Sequence, residues 1–381
     1  MFKIVKEGTF SLVTLYVLFC AYFFVEVMRG FTQVTSASSS RIIPLLIILG
    51  LGCFVKRNNY ESTSLTKVSI LFGGYLSIVT FFDLDINAAA FSNVFSVFLW
   101  IMVLKQVSSM EIDINKFEII ILLMSIMCNI ISFIYAFEIV PQIEYMEYIQ
   151  RIGAINSIYY ILITFPFVFL FRNWLWSVFS SLLPLFAFII SGKTTCILCG
   201  IVILLFYIFK NLMNLELKSR ILFILVMVLL CWSVSPFIDF TTLLDNSQED
   251  FSTGGNGRTE IMSKVLYLLN YESKTSAIIF GHGVNAISRT IGIGGHNDFL
   301  EVLYCYGLIG LVLFITFLIY LIKEIRMLLS NTHRIAFSIS IIILFFALSA
   351  SKLIATQIGL LPLSIFWGTL LAYSRTENEY L

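Results

Sequence analysis

The chain carries only three histidines, and two of them, His282 and His296, fall in one polar stretch beside glycines. An imidazole titrates near neutral pH and can serve as a general base. His296 opens the string His-Asn-Asp-Phe-Leu-Glu, directly before an apolar run. In that string Asp298 and Glu301 have the spacing of a capping box, the aspartate accepting from the first amides of a helix. The spacing therefore favours a structural Asp298. It leaves His296, just outside the helix, as the first candidate base and His282 as the second. His333 stands in Ser-Asn-Thr-His-Arg and reads as a solvated loop residue.

Three cations, Lys193, Arg258 and Arg289, fall on the same expected side of the chain as those two histidines. A guanidinium grips a phosphate through two parallel hydrogen bonds, whereas an ammonium acts as a point charge. Lys193 occupies a tight Ser-Gly-Lys-Thr-Thr corner just before an apolar segment. The helix starting there and the one after His296 would present positive dipole ends, suited to an anion held between them. Each cation also has a plainer reading as a charge facing lipid headgroups, and for Arg289 that reading is favoured. Ser191 to Thr194 imitates the end of a phosphate-binding P-loop, but Ala187 stands where its first glycine would have to be. That fragment also joins two apolar segments instead of a strand and a helix, so ATP binding is not expected. His282, His296 and Asp298 are too loosely spaced for a convincing zinc site, and neither a metal nor another cofactor is expected. Cys196 and Cys199 form a CxxC within an apolar segment with no histidine nearby, and read as small hydrophobes.

The elements that must carry these residues are set by composition. Of 381 residues, 59% are hydrophobic and 12% charged, against roughly 45–50% and about 25% in soluble domains. Mean hydropathy is +0.94. That excludes a cytoplasmic enzyme, a secreted disulfide scaffold and a nucleic-acid binder. A bilayer core of ~30 Å needs about 20 apolar residues per helix. Apolar stretches of that order lie near 8–28, 41–55, 67–82, 88–104, 117–137, 152–171, 174–190, 194–209, 220–238, 297–322, 335–349 and 357–373. The expected fold is all-α, a polytopic membrane protein of about twelve transmembrane helices, the first of them retained and not cleaved as a signal peptide.

With the N-terminus inside, the short loops place fifteen Lys and Arg inside against five outside, which by the positive-inside rule makes both termini cytoplasmic. Residues 1–238 then hold the first nine spans and 239–296 one large periplasmic loop. Residues 297–381 hold the last three spans and a short cytoplasmic tail. Within the loop, residues 258–270 put Ile261, Met262, Val265, Leu266 and Leu269 on one helical face, destined for the membrane interface or the top of the bundle. Gly281, Gly283 and Gly292 mark turns after it.

The stretch from His296 to Gly310 reads H-N-D-F-L-E-V-L-Y-C-Y-G-L-I-G and resembles the signature of the bacterial O-antigen polymerase and ligase superfamily, H-[NSQ]-x9-G-x-x-[GTY]. His296, Asn297, Gly307 and Gly310 match that pattern. The segment around Arg258 is similar to the family's Gly-Arg segment, Gly281 to Asn285 to its G-x-G-x-x element, and the corner at Lys193 to its Ser-Arg corner, with lysine where arginine is usual. The likeness in motifs covers roughly residues 185–325; the first half matches only in hydrophobic layout.

The resemblance implies a metal-independent glycosyltransferase of the inner membrane, its active site facing the periplasm. Such enzymes transfer a glycan from undecaprenyl pyrophosphate to an acceptor hydroxyl, with His296 as base and Arg258, Lys193 and Arg289 near the pyrophosphate. A polymerase uses another lipid-linked repeat as acceptor and a ligase uses lipid A–core; the compact chain and modest loop favour the polymerase. The implied partners are an undecaprenyl-pyrophosphate-linked oligosaccharide and the lipid bilayer, with a chain-length regulator protein as a further candidate. The competing class is a lipid-linked oligosaccharide flippase, which should show repeated halves and charges within its spans.

The charge distribution makes a topological prediction. A single cysteine introduced at Ser252 in a cysteine-free chain should react with a membrane-impermeant maleimide in intact cells. Labelling only after the inner membrane is opened would invert the orientation.

Overall fold

The computed structural model describes residues 11–32, 38–56, 63–83, 88–146, 154–212, 258–292, 297–328, 331–350 and 359–379. Among these residues the protein is helical, with no β-strand. The helices are α1 (Leu12–Thr32), α2 (Ser38–Gly52), α3 (Thr63–Phe81), α4 (Ala88–Ser108), α5 (Ile114–Ile134), α6 (Ile158–Thr164), α7 (Trp174–Ile190) and α8 (Thr194–Leu212). After them come α9 (Arg258–Tyr267), α10 (Thr275–Phe280), α11 (Ala286–Ile291), α12 (Asp298–Leu328), α13 (Asn331–Ala350) and α14 (Leu361–Glu379). Every apolar stretch read from the sequence contains a helix except 220–238, which lies outside the described residues. Five segments, 12–31, 64–81, 114–143, 194–211 and 298–325, are long and apolar enough to cross a bilayer unaided. Shorter apolar helices accompany them. The protein is a helical membrane protein.

Its centre is α14. Buried residues run through it from Leu361 to Thr376, polar and apolar alike. It lies along α4, where Gly368 leaves room for the Val107 side chain. Midway along it, two side-chain hydrogen bonds tie it to the rest of the bundle: Trp367 Nε1 donates to Ser340 Oγ at 2.9 Å, and Tyr16 Oη meets Thr369 Oγ1 at 2.7 Å. Many other hydroxyls in the spans bond to carbonyls one turn back on their own helix, as Ser69 does to Leu65, Thr80 to Leu76 and Ser132 to Cys128. This is how small polar side chains are satisfied where no water reaches.

The charges collect at the helix ends. At one end Lys56 pairs with Glu111 at 2.6 Å and Arg375 with Glu324 at 2.7 Å, and Arg375 also donates to the Ser108 carbonyl at 2.7 Å. The end of α3 at Phe81 lies at the other end of the bundle, and there it meets α10 to α12.

The pair α3 and α12 positions the candidate site. Phe72 of α3 packs on Phe314 and Phe317 of α12 at 5.6 and 6.3 Å between ring centroids. The sequence reading of 297–322 as one uninterrupted span is corrected here: Gly307 has φ 68°, ψ −172°, and breaks α12 into Asp298–Tyr306 and Leu308–Leu328. That conformation is open essentially to glycine alone. The second part has 21 residues, which at 1.5 Å each reach about 31 Å, enough to cross by itself.

His333 also departs from expectation. It lies on α13, partly buried, with its ring edge-on to Phe117 at 5.2 Å and to Tyr373 at 5.3 Å. The polar string around it reads as a loop, yet residues from Asn331 onward are already helical and offer the imidazole two aromatic faces.

The break carries a stability prediction. A Cβ at Gly307 would overlap the Ile279 carbonyl oxygen and the Gly281 nitrogen, both backbone atoms that cannot step aside. Gly307→Ala should cost at least about 1–3 kcal/mol from backbone strain alone, read as a lower thermal midpoint in detergent. Gly50→Ala, in a helix with nothing within 4 Å of its would-be Cβ, should be neutral or stabilising by up to about 1 kcal/mol. Equal effects at the two positions would contradict the break.

Candidate functional site

A broken helix leaves carbonyls whose regular partners lie beyond the break, and at membrane depth they need others. Here the connection after α10 supplies them. The His282 amide donates to the Tyr304 carbonyl and the Gly283 amide to the Cys305 carbonyl, both at 3.0 Å. Tyr75 of α3 donates its hydroxyl between the Tyr306 carbonyl at 2.9 Å and the Phe280 carbonyl at 3.0 Å. The approach is backbone to backbone, which is why both sides are glycine. A Cβ at Gly281 would overlap the Cys305 carbonyl, just as one at Gly307 would overlap that of Ile279. Gly281, Gly283 and Gly292 all have positive φ, as turn residues do.

The same connection is locked sideways by Asp83, which follows α3. Its Oδ2 accepts from the Val284 amide at 2.7 Å. Arg289 of α11 grips both carboxylate oxygens, at 3.1 and 2.9 Å, and reaches the His282 carbonyl at 3.3 Å. The Asp83 side chain is 6% exposed and that of Arg289 28%. Two parallel charge-assisted bonds plus a backbone bond make this the strongest polar link between loop and bundle seen among the described residues.

His282 is the titratable group that this arrangement places. Its ring lies parallel to that of Tyr304, 4.4 Å away and tilted by 16°. Its Nε2 is 2.8 Å from Ser273 Oγ. The single hydroxyl proton of Ser273 goes to the Leu268 carbonyl at 2.8 Å, so in the neutral ring Nε2 donates and Nδ1 keeps the lone pair. Burial lowers the His282 pKa from its usual value, favouring the neutral imidazole that a base requires. Beside it runs a cleft of about 550 Å³, lined among others by Tyr75, Phe82, Asp83, Phe280 and His282. Its aromatic rim is open: Phe82 is 74% and Phe280 55% exposed.

Asn297, Asp298 and Glu301 head the first part of α12. The cap falls one residue earlier than expected: Asn297 Oδ1 accepts from the Leu300 amide at 3.0 Å, while Asp298 is the first helical residue. The correction has a simple cause, since Asn and Asp cap about equally well and the helix begins after the first of them. Asp298 and Glu301, 1% and 6% exposed, are the acids of the first turn. Both are deeply buried for carboxylates. Gly310 lies one turn past the break, against Tyr306 and Tyr75.

The expected amphipathic helix is present as α9, continued by a wider turn over Leu268–Glu272. Its buried face is narrower than the spacing indicated. Val265 and Leu269 are buried with Leu300, Tyr304 and Ile287, and Ile261 is partly so. Met262 and Leu266 stay 44% and 41% exposed. Against the alternatives of bundle top and membrane interface, α9 packs on the first part of α12 and keeps an apolar outer edge.

Arg258 opens α9, though its side chain lies outside the described residues, as does the whole of His296. Lys193 sits at the corner before α8, where Ser191 Oγ accepts the Lys193 amide at 3.2 Å and Gly192 has φ +66°. That helix packs on α7 and α13, a different part of the bundle from the one carrying Arg289. The structure therefore brings together His282, Arg289 and the head of α12 with three groups that sequence reasoning passed over: Asp83, Tyr75 and Ser273. No local signal marks them. Asp83 is one acid in a short loop, some two hundred positions from its partner. Among the described residues no group of three or more His, Cys, Asp or Glu is placed to hold a metal ion, and Cys196 and Cys199 are buried within the helix bundle.

In comparisons with known proteins, no family model and no curated sequence matches the chain.

The Asp83–Arg289 link gives a prediction. Arg289→Gln leaves a largely buried carboxylate without its cation and should loosen residues 281–292 by about 1–3 kcal/mol, read as faster amide exchange at Gly283 and Val284. Asp83→Asn should act alike, and the double variant should show clear non-additivity. Additive effects would mean that the two side chains act independently.

Proposed function

We propose that this protein is an O-antigen or related surface-polysaccharide polymerase: a glycosyltransferase of the bacterial inner membrane that moves a glycan from undecaprenyl pyrophosphate to a sugar hydroxyl of another lipid-linked repeat unit. The proposal includes about twelve spans, both termini in the cytoplasm and a site facing the periplasm. The observation that carries it is the placing of the family-like motif. Asn297 and Gly307, ten residues apart, head and break the same half-helix, and the connection after α10 is seated on that break. Further support comes from the cleft beside His282, whose open aromatic rim suits a substrate that keeps its isoprenoid chain in the bilayer while presenting its sugars at the loop.

In this reading the acceptor hydroxyl must lose a proton as it attacks the anomeric carbon, while pyrophosphate departs from the opposite side. His296, immediately before the capped start of α12, is the proposed base. The positive end of that helix would keep the imidazole neutral. Arg258 is the proposed pyrophosphate ligand and Lys193 a second cation. Arg289, already held by Asp83, is the cation in this group whose first role is to fix the loop. The pyrophosphate is an activated leaving group, so the reaction asks for no metal and no nucleotide sugar.

One observation favours a second reading. Discontinuous helices are a hallmark of transporters, and α12 is discontinuous. A flippase would move the lipid-linked oligosaccharide without lengthening it.

A deletion in the source strain, with surface glycan run on a gel, separates the readings. Single-repeat lipopolysaccharide indicates the polymerase. Undecorated core with accumulated lipid-linked polymer indicates a ligase, and accumulation of unpolymerised lipid-linked repeats on the inner leaflet indicates a flippase. With purified lipid-linked repeats, His296→Ala should cut transfer by about 10²–10⁴-fold at equal folded protein, and His282→Ala by less. Transfer within a few-fold of wild type in His296→Ala would remove that histidine from the mechanism.

A further inference from the structure

At the end of the bundle opposite the loop, a chamber of about 570 Å³ opens between the start of α5, the segment leading into α7, and residues of α13 and α14. Its floor is aromatic. Phe117 and Tyr373 lie face to face, 4.0 Å apart and 13° from parallel, with His333 edge-on to both. Two charges line it, Glu118 and Arg172. Several other charges at this end are paired: Lys56 with Glu111, Lys116 with Asp113, and Arg375 with Glu324, all within 2.7 Å. Glu118 and Arg172 form no ion pair, with each other or with any described residue. Two opposite charges lining one chamber without pairing contribute no salt bridge to the fold.

A second cavity of about 410 Å³ shares Leu122 and Phe171 with the first and continues along the same face of α5, past Ile126 to Phe133. From Glu118 to Phe133 the helix advances about 22 Å, more than half of a ~30 Å hydrocarbon core. The two cavities together make an aromatic chamber carrying two charges at a membrane surface, joined to an apolar groove running into the bilayer. Trp176, 65% exposed, stands at the chamber's mouth, at the headgroup level that interfacial tryptophans prefer.

We propose that this chamber and groove bind one zwitterionic aminophospholipid, with its phosphate at Arg172, its ammonium at Glu118 and an acyl chain laid along α5. The charge pattern selects the headgroup. A purely anionic headgroup would gain Arg172 and be repelled by Glu118. A quaternary ammonium has no N–H to give the carboxylate, whereas a primary ammonium makes a charge-assisted hydrogen bond to it. The site lies at the opposite end of the bundle from His282 and depends on no assumption about the reaction there.

The test is lipid retention. The full chain is reconstituted in nanodiscs of equal phosphatidylethanolamine, phosphatidylglycerol and phosphatidylcholine, extracted into mild detergent, and its bound lipids are weighed by native mass spectrometry. Phosphatidylethanolamine should be retained several-fold over the other two. Arg172→Gln should abolish retention of all three, and Glu118→Gln should erase the preference for phosphatidylethanolamine over phosphatidylglycerol. Leu122→Trp, on the groove wall beyond the charges and itself 50% exposed, should reduce retention of every lipid by blocking the chain. All three positions line the open groove, and unchanged thermal midpoints would establish intact folding. Preferred retention of phosphatidylglycerol, or of added undecaprenyl phosphate, would overturn the proposal. So would an unaltered preference in Glu118→Gln, or the absence of any retained lipid.

Discussion

The arrangement at the loop end of this protein depends on one close approach, where the backbone at Gly281 meets the backbone at Gly307. Breaking α12 at Gly307 exposes carbonyls that a membrane protein cannot leave unsatisfied, since each such group costs several kcal/mol in hydrocarbon. The connection after α10 answers this with the amides of His282 and Gly283, and α3 with the hydroxyl of Tyr75. Because those amides belong to the loop, satisfying the helix and seating the loop are one event. No side chain fits between the two segments. The approach leaves little freedom for the ring that hangs from it: His282 is stacked on Tyr304 and hydrogen-bonded to Ser273.

Electrostatics reinforces that geometry without creating it. Asp83 is almost wholly buried, and a lone carboxylate there would be strongly unfavourable. The Val284 amide and the Arg289 guanidinium compensate it at once, and both come from the segment that the glycine contact has already placed. The backbone contact thus sets the position, while the ion pair penalises alternatives in which the loop lifts away. The same logic explains why the apolar face of α9 is narrow. Only Val265, Leu269 and their close neighbours find a partner in the first part of α12, and that part is just two and a half turns long.

The two ends of the bundle are built differently. At the loop end, charged groups are drawn inward into hydrogen-bonded links between segments far apart in the chain. At the other end several charges form compact pairs, while Glu118 and Arg172 line an aromatic chamber. Between the ends the spans carry hydroxyls that bond back to their own helices, and the buried α14 holds the bundle together with aromatic packing and two side-chain hydrogen bonds.

Much of this was legible in the residues taken singly. Apolar content and run length require helices in a bilayer, because both are summed along the chain and need no partner. Gly281, Gly283 and Gly292 stand out for the same reason: glycine is the residue that a positive φ favours, so its presence signals an unusual backbone; the break at Gly307 was not legible, because its apolar neighbours continue one span across it. The start of α12 was legible to within one residue, since Asn297 and Asp298 are both good caps and only the chain's path chooses between them. What the tertiary structure alone decided is pairing. Asp83 and Arg289, Tyr75 and Tyr306, Ser273 and His282, and the ring faces around His333 meet because helices pack. Packing depends on shape and on long-range closure, and neither leaves a pattern in local spacing. A buried carboxylate two hundred positions from its guanidinium looks, in the sequence, like any other acid in a short loop.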